Sequence, residues 1–461
     1  MAQNRNLQTI AAIATPAGSG GLAVIRISGS EAAAVLSRIF LPMAEKLPQA
    51  DPRRMLLGKI IEPQTKKLID EGLAVFFAAP ASFTTEDVAE LHCHGGAFVA
   101  AAVLKAALAA GAVLAKPGEF TLRAFLGGRL DLVQAEAIRD IIEAKSLQAL
   151  AVSQNQLAGH LSEQINLLED ELLQLLAEIA AGVDFPEDID LLSNEQIDQR
   201  LALVNNSINE LLKDAEMGRL LKEGVSCALL GAVNVGKSSL LNALLQEERV
   251  IVTASPGTTR DIVEEGFLLS GIKVVLADTA GLRVAKEEAE QIGIEKSRKK
   301  AAEAELLLLV FDATRPLGEQ DKELLSLAQG KKALIIINKC DFADNEELAG
   351  QIKQPAPQIP IMFVSAKTGR GLSELKAKMT EIILGGVYNA EPKINNLRHQ
   401  EALLAASFYI SQAQETLRQN LPADLAAVDI LSARNALGEI SGRTASADII
   451  EKIFATFCLG K

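Results

Sequence analysis

Gly231, Gly236, Lys237 and Ser238 stand at the spacing Gly-x4-Gly-Lys-Ser in the run GAVNVGKS. That pattern fits one kind of chemistry, the cradling of phosphates. Consecutive backbone N–H groups in such a turn wrap phosphate oxygens, the lysine reaches the β and γ oxygens, and the serine hydroxyl can ligate Mg²⁺. Asn234, Val235 and Ser239 lie in the same stretch. DTAG follows, in which Asp278 can hold the Mg²⁺ shell through water and the Gly281 amide, after Thr279 and Ala280, can face a γ-phosphate. In NKCD, Asn338 and Lys339 lead to Asp341. That carboxylate can accept from guanine's ring N–H and exocyclic amine, whereas adenine would leave a desolvated charge unmatched. SAK (Ser365, Ala366, Lys367) would hold the base oxygen through backbone amides. Thr253, Ala254, Ser255, Pro256, Gly257 and Thr258 lead to Thr259, the residue of GTTRD placed to close on Mg²⁺ and the γ-phosphate.

Each short piece alone matches many loops, but their order and setting do not. VSCALL before Gly231 reads as a buried strand and SLLNALL after it as a helix. KVVLA, ALIII and PIMFV are apolar runs that end at DTAG, NKCD and SAK. Strand ends carrying these loops in this order imply an α/β P-loop domain that binds GTP and hydrolyses it. Where Ras-like proteins carry a water-orienting Gln after DTAG, this chain has Leu282, then Arg283. The attacking water must be positioned from elsewhere. Glu287, Glu288 and Glu290 follow, and spacing alone reads them as a solvated acidic run.

At 461 residues, 49% of them apolar, the chain has room for about three domains. The net charge is −13, yet residues 1–124 carry 12 Lys/Arg against 10 Asp/Glu, so the remainder carries −15. An acidic body argues against a free-standing nucleic-acid binder, since backbone affinity comes from cations; any nucleic acid would be held with a partner's help. Four cysteines, Cys93, Cys227, Cys340 and Cys458, are scattered without a Cys-x-x-Cys pair, which fits a reducing cytoplasm. No signal pattern and no membrane-length apolar run is present.

The start reads as short strands broken by glycine: TIAAIA, LAVIRISG and later LAVFFAAP, an α+β pattern. From Leu161 the positions Leu161, Ile165, Leu168, Leu172, Leu175 and Ile179 step by three and four, giving a helical stripe. VDFPEDID interrupts it, and helix resumes from Asn194 to Leu221. The expected organisation is an N-terminal α+β domain over 1–121, a helical domain in two parts over 122–221 and 385–461, and the nucleotide domain inserted over 222–384.

The chain resembles the MnmE (TrmE) family of tRNA-modification GTPases from end to end. ATPAGSGGLAVIRISG, PASFTTEDVAELHCHGG, KPGEFTLRAFLGGRLDLVQAEAI, VDFPEDID, the inserted GTPase and FCLGK all match in order. The resemblance implies a homodimer paired through N-terminal domains that bind a tetrahydrofolate derivative, the 5,10-methylene or 5-formyl form. It implies a complex with the FAD-carrying flavoprotein MnmG and tRNA as substrate, with a folate carbon entering an aminomethyl-type group at carbon 5 of the wobble uridine. Folate contacts fall on Arg26, Glu90, Arg129 and Lys461. The family usually has lysine where Arg129 sits, so a planar fork replaces a point charge there. The family relies on K⁺ and on pairing of its GTPase domains rather than on an arginine finger. The K⁺ ligand set falls on Asn234, Thr253, Ser255 and Thr258, the Mg²⁺ set on Ser238, Thr259 and Asp278, and the water-orienting glutamate on Glu290.

Two further readings stay open at this point. His92, Cys93 and His94 alternate as strand metal ligands would, against the plainer reading of a loop packed beside a glycine pair. Cys458 is either a thiol nucleophile, three residues before the cation of Lys461, or a positional residue beside the folate site. The alternative to the modification enzyme is a switch-type GTPase for ribosome or RNA assembly whose N-terminal domain serves only for dimerisation.

Overall fold

The computed structural model describes residues 8–43, 47–185, 192–213, 215–247, 266–276, 299, 301–342, 345–385 and 392–460. Two compact units emerge, one formed by residues 1–139, 155–205 and 402–461, the other by 140–154 and 206–401.

The first unit holds a seven-stranded sheet in the order β3-β4-β5-β6-β2-β1-β7. Its strands are β1 (Ile10–Ile13), β2 (Leu22–Ser28), β3 (Phe40–Pro42), β4 (Leu56–Ile61), β5 (Leu68–Phe77), β6 (Val88–His94) and β7 (Val113–Leu114). All neighbours pair antiparallel except β1 and β7. Alternation in LAVIRIS sends Ala23, Ile25 and Ile27 to one face, where they share a core with Leu91 and Cys93 of β6 and with the helices Ala32–Ile39 and Ala97–Ala109. Val24 and Arg26 therefore go to the other face. Glu90 and His92 of β6 join them there, opposite Arg26 and Val24 in the register.

The same unit contains the long helix His160–Asp184, packed along Ala423–Ser441. Leu161, Ile165, Leu172, Leu175 and Ile179 are buried as their spacing requires, whereas Leu168 is half-buried. Glu169 takes a place in the buried row instead, 1% exposed, with Arg443 Nη1 3.4 Å from its carboxylate. Burial holds its pKa above the ordinary value despite the attraction of Arg443 and Arg434. A bare Cα at Gly438 makes room for it, since a Cβ there would come within 2.9 Å of Glu169 Oε1.

The second unit is built on a six-stranded sheet, order β13-β12-β11-β8-β10-β9, parallel except for the β9–β10 hairpin. The strands are β8 (Val225–Leu230), β9 (Gly266–Leu269), β10 (Ile272–Leu276), β11 (Leu306–Asp312), β12 (Ala333–Asn338) and β13 (Ile361–Phe363). β11 and β12 are buried along their whole length, as central parallel strands covered on both faces must be. One face packs on Lys237–Glu247, Ala215–Glu223 and Leu372–Leu384, the other on Glu319–Leu327 and Glu346–Lys353. Among the described residues, no helix is long and apolar enough to cross a membrane.

Helix Ala215–Glu223 meets the chain at Ile394 so closely that a Cβ on Gly218 would sit 1.7 Å from the Ile394 carbonyl oxygen. Gly218→Ala is expected to lower the thermal midpoint by roughly 5 °C through overpacking. Calorimetry checks this, and an unchanged midpoint would mean the contact yields without cost.

Candidate functional site

The carboxyl ends of parallel strands are where an open α/β sheet offers a ligand crevice. Here β8, β12 and β13 deliver the phosphate-type loop, NKCD and SAK to one such edge. The loop after β8 turns through Asn234 at φ 66° and Gly236 at φ 94°, both in the left-handed region that a tight phosphate-type turn uses. Val235 between them is fully buried and pins the turn to the core. Lys237 opens the following helix and its Nζ donates to the carbonyls of Gly231 and Ala232, both at 2.7 Å. Ser238 and Ser239 occupy the same first turn.

Asn338 ties this loop to the other two. Its Nδ2 donates to the Val235 carbonyl at 2.9 Å, and its Oδ1 accepts from the Ala366 amide at 3.1 Å. The side chain passes so close to Gly236 that a Cβ there would stand 2.3 Å from Nδ2. Lys339, at φ 68°, donates to the Asn234 carbonyl at 2.9 Å and to Asp312 Oδ2 at 2.6 Å. Burial pushes the Asp312 carboxyl up, but hydrogen bonds from Lys339 and Thr314 outweigh it and hold its pKa below the ordinary value. Ser365, fully buried, donates from Oγ to Asp341 Oδ1 at 2.7 Å and accepts from the Thr368 amide at 3.2 Å. Asp341, fixed in this way, lines a cavity of about 560 Å³ together with Gly236, Ser239, Asn338 and Lys367. Lys367 Nζ lies 5.7 Å from the centroid of Phe342, an exposed ring in the same wall. A larger cleft of about 780 Å³ between Glu346–Lys353 and Leu372–Leu384 lies away from these loops.

Sequence reasoning named Gly231, Asn234, Val235, Gly236, Lys237, Ser238, Ser239, Asn338, Lys339, Asp341, Ser365, Ala366 and Lys367 among the residues of these loops. It missed Asp312 and Phe342, although Asp312 ends an apolar run and Phe342 directly follows Asp341. Thr253, Ala254, Ser255, Pro256, Gly257, Thr258, Thr259, Asp278, Thr279, Ala280, Gly281 and Glu290 lie outside the described residues, as does Lys461.

A second polar cluster occupies the first unit. Arg26 Nε donates to Glu90 Oε1 at 2.8 Å across the β2–β6 pair. The Arg26 guanidinium stands 5.5 Å from the Phe83 centroid, that of Arg129 stands 5.0 Å from it, and Arg129 Nη1 also donates to the Phe83 carbonyl at 2.8 Å. Two of the four residues assigned to folate thus meet at one ring that the sequence did not single out, and Glu90 joins them through Arg26. The loop carrying Phe83 is anchored by Glu86, which accepts from Ser28 Oγ at 2.7 Å and from buried Arg123. Gly460 reaches β1, where a Cβ would be 2.2 Å from the Ile13 carbonyl oxygen, and Cys458 is exposed just before it.

The loop expected around His92, Cys93 and His94 is instead the end of strand β6. Pairing with β2 and β5 extends the backbone through His94 before Gly95 and Gly96 release it. Cys93 points into the core, where burial and the nearby Asp70 push its thiol to about 11. His92 faces the opposite side, and His94 pairs with Asp70 at 2.9 Å, so the three side chains do not converge. Among the described residues, no group of three or more His, Cys, Asp or Glu is arranged to hold a metal ion.

A glycine loop between a parallel strand and a helix, laced to an Asn-Lys-x-Asp loop, defines a P-loop protein of the guanine-nucleotide class. Residues 9–129 match the family described as GTP-binding protein TrmE N-terminus, and residues 132–458 match the MnmE helical domain. The tRNA modification GTPase MnmE of Moorella thermoacetica is 44% identical, over 98% of this chain and 99% of the relative. That of Heliobacterium modesticaldum is 42% identical with the same coverage. Among solved structures, the G domain of the T. maritima FeoB iron transporter aligns with 34% of this chain and 98% of its own, at 29% identity and a TM-score of 0.25. The chain belongs to the MnmE family of tRNA modification GTPases, and it is a GTP hydrolase.

Asp312→Asn is expected to weaken guanine-nucleotide affinity about tenfold while sparing the preference for guanine, because Lys339 loses its anion and Asp341 is untouched. The carboxylate's contribution is present at neutral pH and is lost as pH falls through its depressed value. Titration with a fluorescent nucleotide checks both, and a lost base preference would place Asp312 in base recognition instead.

Proposed function

We propose that this chain is a K⁺-stimulated GTPase that works as a homodimer with the flavoprotein MnmG in the cytoplasm, modifying carbon 5 of the wobble uridine of tRNA with a folate-derived carbon. The observation that carries this reading is the pairing, in one chain, of the Asn338-laced nucleotide loops with the Arg26–Glu90–Arg129 cluster around Phe83. A switch GTPase has no use for the second cluster. Reduced folates offer glutamate carboxylates for cations and a pterin edge of N–H donors for a carboxylate, and Arg26, Arg129 and Glu90 match that chemistry, with Lys461 as a further cation. The division of the chain at 121/122, 221/222 and 384/385 belongs to the same reading, as does Cys458 as a residue beside the folate.

In the nucleotide site, Lys237 is assigned to the β and γ oxygens, Ser238 with Thr259 and Asp278 to Mg²⁺, and Asp341 to the guanine edge. The hydrogen bond from Ser365 Oγ to Asp341 Oδ1, which fixes that carboxylate, supports the assignment. Asn234 lies exposed at the loop's crest, its backbone carbonyl taken by Lys339, which leaves its amide oxygen as a hard ligand suited to K⁺ with Thr253, Ser255 and Thr258. A bound K⁺ supplies the positive charge that a finger arginine provides elsewhere. Glu290 is assigned the orienting of water in place of Leu282.

Steady-state GTP hydrolysis in K⁺ against Na⁺ at equal ionic strength tests the proposal. K⁺ is expected to raise the rate about tenfold or more, and Asn234→Ala to abolish the difference while nucleotide still binds. Equal rates in both salts would return the chain to the switch-type reading.

A further inference from the structure

Glu90 has two carboxylate oxygens, and the structure treats them differently. Oε1 accepts from Arg26 Nε at 2.8 Å, while Oε2 lies 3.6 Å from His92 Nε2. That nitrogen is buried and has no hydrogen-bond partner. A buried polar atom left unmatched calls for a reason, and its surroundings narrow the choice. The residues opposite His92 in the register are Val24 on β2 and Leu73 on β5, neither of whose side chains offers an acceptor. The charged or ionisable side chains on β6 and the two strands paired with it, besides His92 and the buried Cys93, are Glu90 and His94 on its own strand, Arg26 on β2, and Asp70 and Glu71 on β5. Asp70 is engaged by the ring and amide of His94, and Arg26 by Glu90. Glu90 Oε2 is therefore the anion toward which a protonated His92 would turn.

We propose that His92 is a positioning residue for Glu90, whose protonation decides whether Oε2 is open to a ligand's N–H donors. With the imidazole neutral, the 3.6 Å gap leaves Oε2 to accept from a ligand edge carrying adjacent N–H groups. With the imidazolium formed, a charge-assisted hydrogen bond closes the gap and occupies that oxygen, so a donor-bearing ligand must break it to bind. Ligand affinity falls as pH drops through the range in which histidine takes up its proton. The inference rests on the folate reading of the Arg26–Glu90 cluster and adds to it a proton that competes with the ligand.

The test is isothermal titration of the full-length protein with 5-formyltetrahydrofolate between pH 8.0 and 5.5 at constant ionic strength, for the wild type, His92→Gln and His94→Gln, with folding checked by circular dichroism. Wild type should bind about tenfold more weakly at the acid end, since one competing proton costs up to tenfold per pH unit. His92→Gln should lose that slope, and His94→Gln should keep it. Any titration of the probe itself is common to all three proteins, so the difference between wild type and His92→Gln isolates the imidazole. A flat wild-type profile, or a slope that survives in His92→Gln, overturns the inference while leaving folate binding intact. Absence of binding at every pH overturns the folate reading and this inference with it.

Discussion

The side chain of Asn338 is the constraint on which the nucleotide site depends. One planar amide donates to the phosphate-type loop at Val235 and accepts from the SAK loop at Ala366, while its own backbone ends β12 and begins NKCD. Three loops from three strands are fixed by a group that is 2% exposed, so neither bond competes with water. Gly236 must lack a Cβ for the amide to pass, and Lys339 repeats the link one residue on by reaching the Asn234 carbonyl. The loop after β8 and the NKCD and SAK loops are thereby tied to one another before any ligand arrives.

The polar cluster of the first unit is assembled by a different device. Strand alternation alone places Arg26, Glu90 and His92 on the face away from the helical core, and the antiparallel register sets Arg26 beside Glu90. Residues distant in sequence then close the cluster: Phe83 on a loop held by Glu86 and Arg123, and Arg129 after the helix Glu119–Leu126. The chain's described end at Gly460 docks against β1, next to the strand that carries Arg26.

Much of this was legible in the sequence, for reasons that differ by element. The buried parallel strands were plain because VSCALL and ALIII are unbroken apolar runs ending in loops whose residue types are dictated by phosphate and base chemistry. The helical stripe from Leu161 was plain because a 3.6 period is a local property. Glu169 in that stripe was not, since its burial depends on Arg443 and on a missing Cβ at Gly438, both far along the chain. Histidines beside a glycine pair read as a loop because their strand partners are distant; the register with β2 and β5 decides otherwise. Phe83 carried no signal at all, because its importance lies in which two guanidinium groups the fold brings to it.

If the Asn338 amide makes one site of three loops, the binding of a fluorescent GDP analogue to Asn338→Ala will report it. Loss of two buried hydrogen bonds, at roughly 1–3 kcal/mol each, should weaken affinity by about a hundredfold, with the far-ultraviolet circular dichroism spectrum retained. An affinity equal to that of the wild type would contradict the account, because the phosphate loop and the base loops would then hold their places without the residue said to join them.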